Sequence, residues 1–126
     1  IANRTHEKAI FMKKKFPFID ILSLNEVPQR ISEFDIIINA TSLGLKNGEQ
    51  FNVNLDGLTD KSIFIDTIYN PLETKIIKHL KGKNIKTFNG LDMLIYQGQK
   101  SFYIWNKINP EIDDELIQLL ENRIKC

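Results

Sequence analysis

Asp35-Ile36-Ile37-Ile38-Asn39 is a continuous apolar run of strand length, and Ile63-Phe64-Ile65 repeats the pattern farther along the chain. Strands that are buried on both faces of a parallel sheet have this pattern, because neither face requires polar side chains. The two runs therefore predict strands of a parallel sheet.

Strand-like and helix-like segments alternate along most of the chain. The predicted strands are 1–2, 19–24, 35–40, 62–68 and 85–88, and the predicted helices are 5–15, about 25–31, 72–83, 91 to about 107, and 113–125. This rhythm predicts an α/β fold, a Rossmann-like parallel sheet with flanking helices, right-handed crossovers and additional C-terminal helices. The connection 45–60 is unusually long, which is often the sign of a functional loop.

The composition indicates one domain with balanced charge. The 126 residues are 42% hydrophobic, and 17 basic against 16 acidic residues give a formal net charge of +1. This balance offers no electrostatic case for binding nucleic acid or an anionic membrane. Cys126 is the single cysteine, so the sequence predicts no disulfide framework and no metal site, which favours a reducing cytoplasm.

The first residues, Ile1-Ala2-Asn3-Arg4-Thr5, form an apolar strand end that leads into a polar turn and a helix. Thr5 is a suitable N-cap, so Arg4 and Lys8 bring two cations to a helix end whose dipole is already positive. A bound anion would relieve that repulsion. Arg at the end of the second strand of a dinucleotide-binding fold accommodates the 2′-phosphate of NADP. The turn therefore predicts an NADP site, with an ordinary solvated basic turn as the alternative.

Polar or glycine-bearing turns follow four of the predicted strands. They are Asn3-Arg4-Thr5, Asn39-Ala40-Thr41-Ser42-Leu43-Gly44, Asp66-Thr67-Ile68-Tyr69-Asn70-Pro71 and Asn89-Gly90-Leu91-Asp92-Met93. Ligands of open parallel sheets bind at the carboxyl ends of the strands. Ordinary turn chemistry would explain any one of these turns, but four on one edge favour a binding site.

The helix that begins near residue 91 has two distinct faces. One face carries Gly90, Met93, Gln97 and Ser101, whose spacing of three and four residues places them together. The neighbouring apolar stripe, predicted as core, contains Leu94, Trp105 and Ile108. The Gln97 amide could bind a substrate hydroxyl, and Tyr69 offers a hydroxyl beside the same crevice, although a structural role is the alternative for each.

Four sequence blocks together resemble the shikimate dehydrogenases. They are Asn3-Arg4-Thr5-x-x-Lys8-Ala9, Asn39-Ala40-Thr41-Ser42-Leu43-Gly44, Asp66-x-x-Tyr69-x-Pro71-x-x-Thr74, and Gly90-x-x-Met93-Leu94-x-x-Gln97 followed by Ser101-Phe102 and Trp105. The blocks follow the family's order and spacing over nearly the whole chain. The resemblance implies NADP-dependent interconversion of 3-dehydroshikimate and shikimate, a step in aromatic amino-acid biosynthesis.

The resemblance also implies roles for the matched residues. The adenosine ribose and its 2′-phosphate would be bound by Asn3, Arg4, Thr5 and Lys8. The cofactor would be lined by Ala40, Thr41 and Ser42 and contacted near the nicotinamide by Thr67, Gly90 and Met93. The substrate would be reached by Tyr69 and Gln97. Thr67 stands where the family usually has a hydrophobic residue.

Two parts of the family's pattern would lie before Ile1: the glycine-rich diphosphate loop with its central strand, and the substrate domain with the lysine and aspartate of proton transfer. We therefore assign no catalytic residue. We expect residues 1–126 to form a partial NADP-binding domain, with C-terminal helices at about 91–125, that is inactive without the N-terminal substrate domain. Two sheet edges would face a gap, so the chain would belong to a larger molecule, associate or rearrange. The sequence leaves the oligomeric state open.

Two other functions remain open at the level of sequence. One is a quinate/shikimate dehydrogenase with broader substrate or cofactor choice, and the other is a non-catalytic NADP-binding module. An acidic residue in place of Asn3-Arg4 would favour NAD, so this pair favours NADP.

Overall fold

Strands and helices alternate in the computed structural model, which describes residues 1–45 and 48–125. The elements are α1 (His6–Lys15), α2 (Val27–Arg30), a 3₁₀ turn (Ile31–Glu33), β1 (Ile36–Asn39), β2 (Ile63–Asp66), α3 (Lys75–Gly82), β3 (Lys86–Phe88), α4 (Leu91–Asn106) and α5 (Asp114–Lys125). The predicted α/β class with a parallel, Rossmann-like sheet is confirmed.

The sheet contains three parallel strands in the order β1-β2-β3. Strand β1 lies at one end of this order, and its Ile36 and Ile38 are 55% and 58% exposed, so the prediction that this strand is buried on both faces is wrong. Asn39 at the end of β1 is in register with Asp66 at the end of β2, and Ile65 beside it is in register with Phe88 at the end of β3. The turns that follow the three strands therefore leave from one edge of the sheet.

The two predicted strands 1–2 and 19–24 are much shorter than the sequence indicated. They meet in one isolated parallel bridge between Ala2 and Leu22, where the Leu22 N–H donates to the Ile1 carbonyl oxygen over 2.9 Å. Among residues 1–45 and 48–125, neither segment pairs with a further strand. A two-segment pair without other strands is only marginally stable, which explains why the ladder does not extend.

Helix α3 covers one face of the sheet. Its side chains Ile77 and Leu80 pack into one core cluster with Phe64 of β2. The helix begins later than residue 72 because Thr74 caps it, with the Thr74 hydroxyl oxygen accepting from the Ile77 N–H at 3.4 Å. Asn84, at φ 60°, reverses the chain before β3.

Helix α4 is buried only at its beginning. Leu91 and Ile95 are buried, whereas Trp105 is 78% exposed and Ile108, beyond the helix, is 62% exposed. The prediction that Trp105 and Ile108 belong to the core is therefore wrong for this chain. A helix of 16 residues is about 24 Å long, and residues 102–106 at its end are all exposed.

Helix α5 starts where the sequence indicated. The Asp113 carboxylate accepts from the Leu116 N–H over 2.8 Å, which caps the first turn. Within the described ranges, no helix combines the length and apolar character that a membrane crossing requires.

Candidate functional site

An open crevice of about 450 Å³ lies between the turns that follow β1 and β2. It is lined by Thr41, Ser42, Leu45, Thr67, Ile68, Tyr69 and Asn70. The structure thus brings together four residues that the sequence assigned to a site, namely Thr41, Ser42, Thr67 and Tyr69. Leu45, Ile68 and Asn70 were not predicted.

A buried hydrogen-bond network lies at the ends of β1 and β2, next to the crevice. The Asp66 carboxyl oxygens accept from the Asn39 side-chain amide (3.0 Å), the Thr74 hydroxyl (2.8 Å) and the Ile68 N–H (3.2 Å). Asp66 is fully buried, and Asn39 and Thr74 are 3% and 1% exposed. Buried polar groups are tolerated when they are paired in this way. The network fixes the end of β1, the end of β2 and the start of α3 relative to one another.

The turn after β1 is shaped by the same Asn39. Its side-chain oxygen accepts from the Thr41 N–H (3.1 Å) and the Thr41 hydroxyl (2.6 Å). Ala40 and Ser42 are exposed on either side of Thr41. Because the turn is held from within, its small side chains stay available at the crevice.

Thr67 is hydrogen-bonded to the end of β1. Its N–H and its hydroxyl both donate to the Asn39 carbonyl oxygen, over 3.0 and 2.9 Å. The hydroxyl therefore has a protein partner, so Thr67 adds surface to the crevice without needing a ligand to satisfy it.

Gly90 lies against the backbone of the turn after β2. A Cβ added at Gly90 would stand 2.1 Å from the Thr67 carbonyl oxygen, and the Gly90 N–H donates to the Ile68 carbonyl oxygen over 2.9 Å. No side chain fits at this position. Glycine here lets the start of α4 approach the crevice-lining turn.

Met93 and Gln97 lie on α4 beyond Gly90. Both are exposed, and neither lines the crevice. Their spacing of four residues places them on one helix face, as the sequence predicted. Their assignment to nicotinamide and substrate stays a prediction.

The basic turn at the chain start forms as predicted, with one difference in its capping. Thr5 occupies the N-cap position of α1, but its side chain makes no capping hydrogen bond. Instead, the Asn3 side-chain oxygen accepts from the Thr5 N–H over 2.9 Å. Lys8 is exposed in the first turn of α1.

Arg4 in this turn already binds an anionic group. Its guanidinium Nη1 lies 2.9 Å from Glu49 Oε2, and the two side chains are 76% and 72% exposed. The position therefore suits an anion, and the contact joins the basic turn to the segment after β1.

Four residues of this region had no predicted role: Asp66, Thr74 and Asn39 in the network, and Glu49 beside Arg4. For Asp66 the sequence did contain a signal, namely a carboxylate at the end of an apolar strand. A buried Asp needs hydrogen-bond partners, so this position indicates a network. No local pattern marks Glu49.

The crevice is poor in groups that transfer protons. Among its lining residues in the described ranges, no Lys, His or carboxylate side chain occurs. The described part of the chain also holds no group of three or more His, Cys, Asp or Glu side chains that could bind a metal ion. The side chains therefore offer hydroxyls, amides and contact surface, which suit binding and orientation.

The polar groups suit an anionic nucleotide. The basic turn carries two exposed cations, Arg4 and Lys8. The turns at the crevice supply the small side chains of Thr41 and Ser42 and the closely approaching Gly90. Such a donor set fits a phosphate-bearing ribose and a flat ring.

Comparison with known proteins gives consistent relatives. The chain is 47% identical over 121 residues to the shikimate dehydrogenase (NADP(+)) of Pelagibacter ubique, covering 96% of this chain and 44% of that protein. The chain thus spans less than half the length of this relative. No protein-family model matches.

Two solved structures share the fold. Shikimate dehydrogenase from Aquifex aeolicus superposes with a TM-score of 0.75 at 37% identity, over 87% of this chain and 40% of the other. Shikimate 5-dehydrogenase from Thermus thermophilus, solved in complex with NADP(H) and shikimate, gives a TM-score of 0.77 at 25% identity, over 98% and 44%.

Proposed function

Since the chain belongs to the shikimate dehydrogenase family and matches the C-terminal part of its members, we propose that it forms the NADP-binding part of an enzyme that reduces 3-dehydroshikimate to shikimate with NADPH. This reaction would serve the shikimate pathway. A cytoplasmic location belongs to the proposal, because the single cysteine of the sequence favours a reducing compartment.

The observation that carries the proposal is the convergence at one sheet edge. Thr41, Ser42, Thr67 and Tyr69 line one crevice, and Gly90 brings the start of α4 against it. These are the residues that the family resemblance assigned to cofactor and substrate. Because the carboxyl edge of a parallel sheet is where such folds bind nucleotides, the geometry supports that assignment.

Cofactor recognition would be divided between two places. Arg4 and Lys8 would bind the 2′-phosphate, with Asn3 and Thr5 at the ribose. Ala40, Thr41 and Ser42 would line the cofactor, and Thr67, Gly90 and Met93 would flank its nicotinamide end. When bound, the nicotinamide supplies the hydride.

The substrate would be oriented by Tyr69 and Gln97. Tyr69 lines the crevice and is 41% exposed. Gln97 lies two turns into α4 and can donate and accept hydrogen bonds. Together they would fix ring hydroxyls while the carbonyl carbon receives hydride.

Proton transfer would come from outside these residues. Reduction of a carbonyl adds hydride to carbon and a proton to oxygen, and the crevice side chains of the described residues include no Lys, His or carboxylate to deliver it. We therefore include in the proposal that an N-terminal substrate domain completes the site and that residues 1–126 alone are inactive.

A steady-state assay of the full-length protein tests the function. We expect NADPH to form when shikimate and NADP are supplied together. Comparable turnover with quinate would indicate a dehydrogenase of broader specificity. Tight NADP binding without turnover of either substrate would contradict the enzymatic proposal and favour a non-catalytic module.

A further inference from the structure

The Arg4–Glu49 ion pair joins residues 45 positions apart. The Arg4 guanidinium, which the proposed function assigns to the 2′-phosphate, is held by the Glu49 carboxylate at 2.9 Å. The Glu49 carboxylate is an anion with oxygen acceptors, as a phosphate is. A ligand phosphate and Glu49 would therefore meet the same donors.

Both partners of the pair are placed by backbone contacts. Arg4 belongs to a turn that is fixed by the hydrogen bond from the Thr5 N–H to the Asn3 side chain. On the other side, the Gly44 N–H donates to the Glu49 carbonyl oxygen over 2.8 Å, and Gly44 has φ +106°. The positive φ favours glycine at residue 44, so the sequence specifies the residue whose N–H holds the Glu49 backbone.

We propose that Glu49 is a specificity-determining residue that competes with the 2′-phosphate for Arg4 and thereby lowers the preference for NADP over NAD. The proposal rests on the proposed function, because it takes Arg4 as the 2′-phosphate ligand. NADP must displace the Glu49 carboxylate or share the guanidinium with it. NAD carries a hydroxyl at that position and leaves the ion pair intact.

The size of the effect follows from exposure. Both side chains are more than 70% exposed, and ion pairs at the surface are weak because water screens them. Displacing such a pair costs a ligand about two- to fivefold in affinity. Glu49 therefore adjusts the selectivity that Arg4 establishes.

The test compares cofactor affinities in the full-length protein. Dissociation constants for NADP and NAD are measured by titration calorimetry in wild type, Glu49→Gln, Arg4→Ala and the double variant. We expect Glu49→Gln to tighten NADP about two- to fivefold and to leave NAD unchanged. The gain in NADP affinity must disappear in the Arg4→Ala background, because the guanidinium for which Glu49 and the 2′-phosphate compete is then absent.

Glu33→Gln is the matched control. Glu33 is an exposed glutamate whose carboxylate pairs with Arg30 instead of Arg4. Glu33→Gln removes one negative charge, as Glu49→Gln does. An equal gain in NADP affinity for Glu33→Gln would therefore show a general charge effect and overturn the proposal.

The other outcomes distinguish the role of Glu49 from the role of Arg4. If Arg4→Ala weakens NADP but Glu49→Gln does not tighten it, the inference on Glu49 is wrong and the cofactor assignment stands. If Arg4→Ala leaves NADP affinity unchanged, the assignment of Arg4 is wrong and the inference on Glu49 falls with it.

Discussion

Gly90 packs so closely on Thr67 that a Cβ at position 90 would lie 2.1 Å from the Thr67 carbonyl oxygen. This contact joins the start of α4 to the turn after β2. It is held further by the hydrogen bond from the Gly90 N–H to the Ile68 carbonyl oxygen. The position of α4 relative to the crevice therefore depends on the absence of a side chain at residue 90.

Gly90→Ala should destabilise the full-length protein by at least about 2 kcal/mol, because the methyl group meets backbone that cannot move aside cheaply. Gly98→Ala is the control: Gly98 lies inside α4, and an added Cβ would meet nothing within 4 Å beyond the adjacent residues and the backbone of its own helix. It should stabilise by about 0.5–1 kcal/mol. Denaturant unfolding of both variants checks this, and similar effects of the two would contradict the close approach.

Arg4→Ala should weaken NADP far more than NAD, since only NADP has the 2′-phosphate. A charge-assisted hydrogen bond is worth about 1.5–3 kcal/mol, which corresponds to roughly ten- to a hundredfold in affinity. Arg30→Ala removes a partly exposed arginine that is paired with Glu33 and should change neither affinity. Equal loss of NADP and NAD binding on titration would disprove the role of Arg4.

Tyr69→Phe and Gln97→Ala should each lower kcat/KM for shikimate while NADP affinity stays nearly constant. One hydrogen bond to a substrate hydroxyl is worth about 0.5–1.5 kcal/mol, or roughly two- to tenfold. Tyr96→Phe, on an exposed tyrosine of α4, is the matched control. Steady-state kinetics in which only the NADP constant changes would place Tyr69 and Gln97 at the wrong ligand.

Asp66→Ala should destabilise the protein by about 3 kcal/mol or more. It leaves the Thr74 hydroxyl and the Ile68 N–H without their acceptor in a buried place, and each lost partner costs about 1–3 kcal/mol. Asp60→Ala, at an exposed position, should stay within about 0.5 kcal/mol of wild type. Equal unfolding midpoints for the two variants would show that the network contributes nothing.

Asp56 should contribute a pH-dependent part of the stability. A hydrogen bond from Lys83 is the main reason that the pKa of Asp56 is lowered from its ordinary value of 3.8, and the Lys83 charge and nearby His79 also favour the carboxylate. A lowered folded-state pKa means that the unfolded chain binds more protons. The contribution is therefore present above the unfolded pKa and is lost as pH falls through the folded pKa.

Thermal unfolding of wild type and Asp56→Asn at about pH 7 and about pH 2 measures this contribution. At the higher pH the wild type should be more stable than Asp56→Asn. This difference between the two proteins should shrink towards zero at the lower pH. Asp60→Asn should show little difference at either pH. A difference between wild type and Asp56→Asn that persists unchanged at low pH would exclude the carboxylate charge as its source.

Local patterns in the sequence predicted the elements of the fold well. The runs 35–40 and 62–68 became β1 and β2, and α1 has the predicted bounds after its Thr5 N-cap. Helix periodicity, caps and continuous apolar runs act over a few neighbouring residues, so they can be read without the fold. The order of the family's motifs also indicated which family the chain belongs to.

The burial of apolar side chains and the pairing of the short strands could be established only from the tertiary structure. Trp105 and Ile108 have the spacing of core residues, yet they are exposed because no described element covers them. The strands predicted at 1–2 and 19–24 shrink to the Ala2–Leu22 bridge for the same kind of reason. An apolar side chain is buried only where a partner element covers it, and periodicity does not reveal the partner.

The sequence by itself determined the helices, the parallel strands and the set of residues assigned to a nucleotide site. Only the tertiary structure decided that Asp66 holds Asn39 and Thr74, and that Glu49 rests on Arg4. These pairs are 8 to 45 residues apart. They meet because turns of particular geometry bring distant backbone together, and that geometry results from the packing of the whole chain.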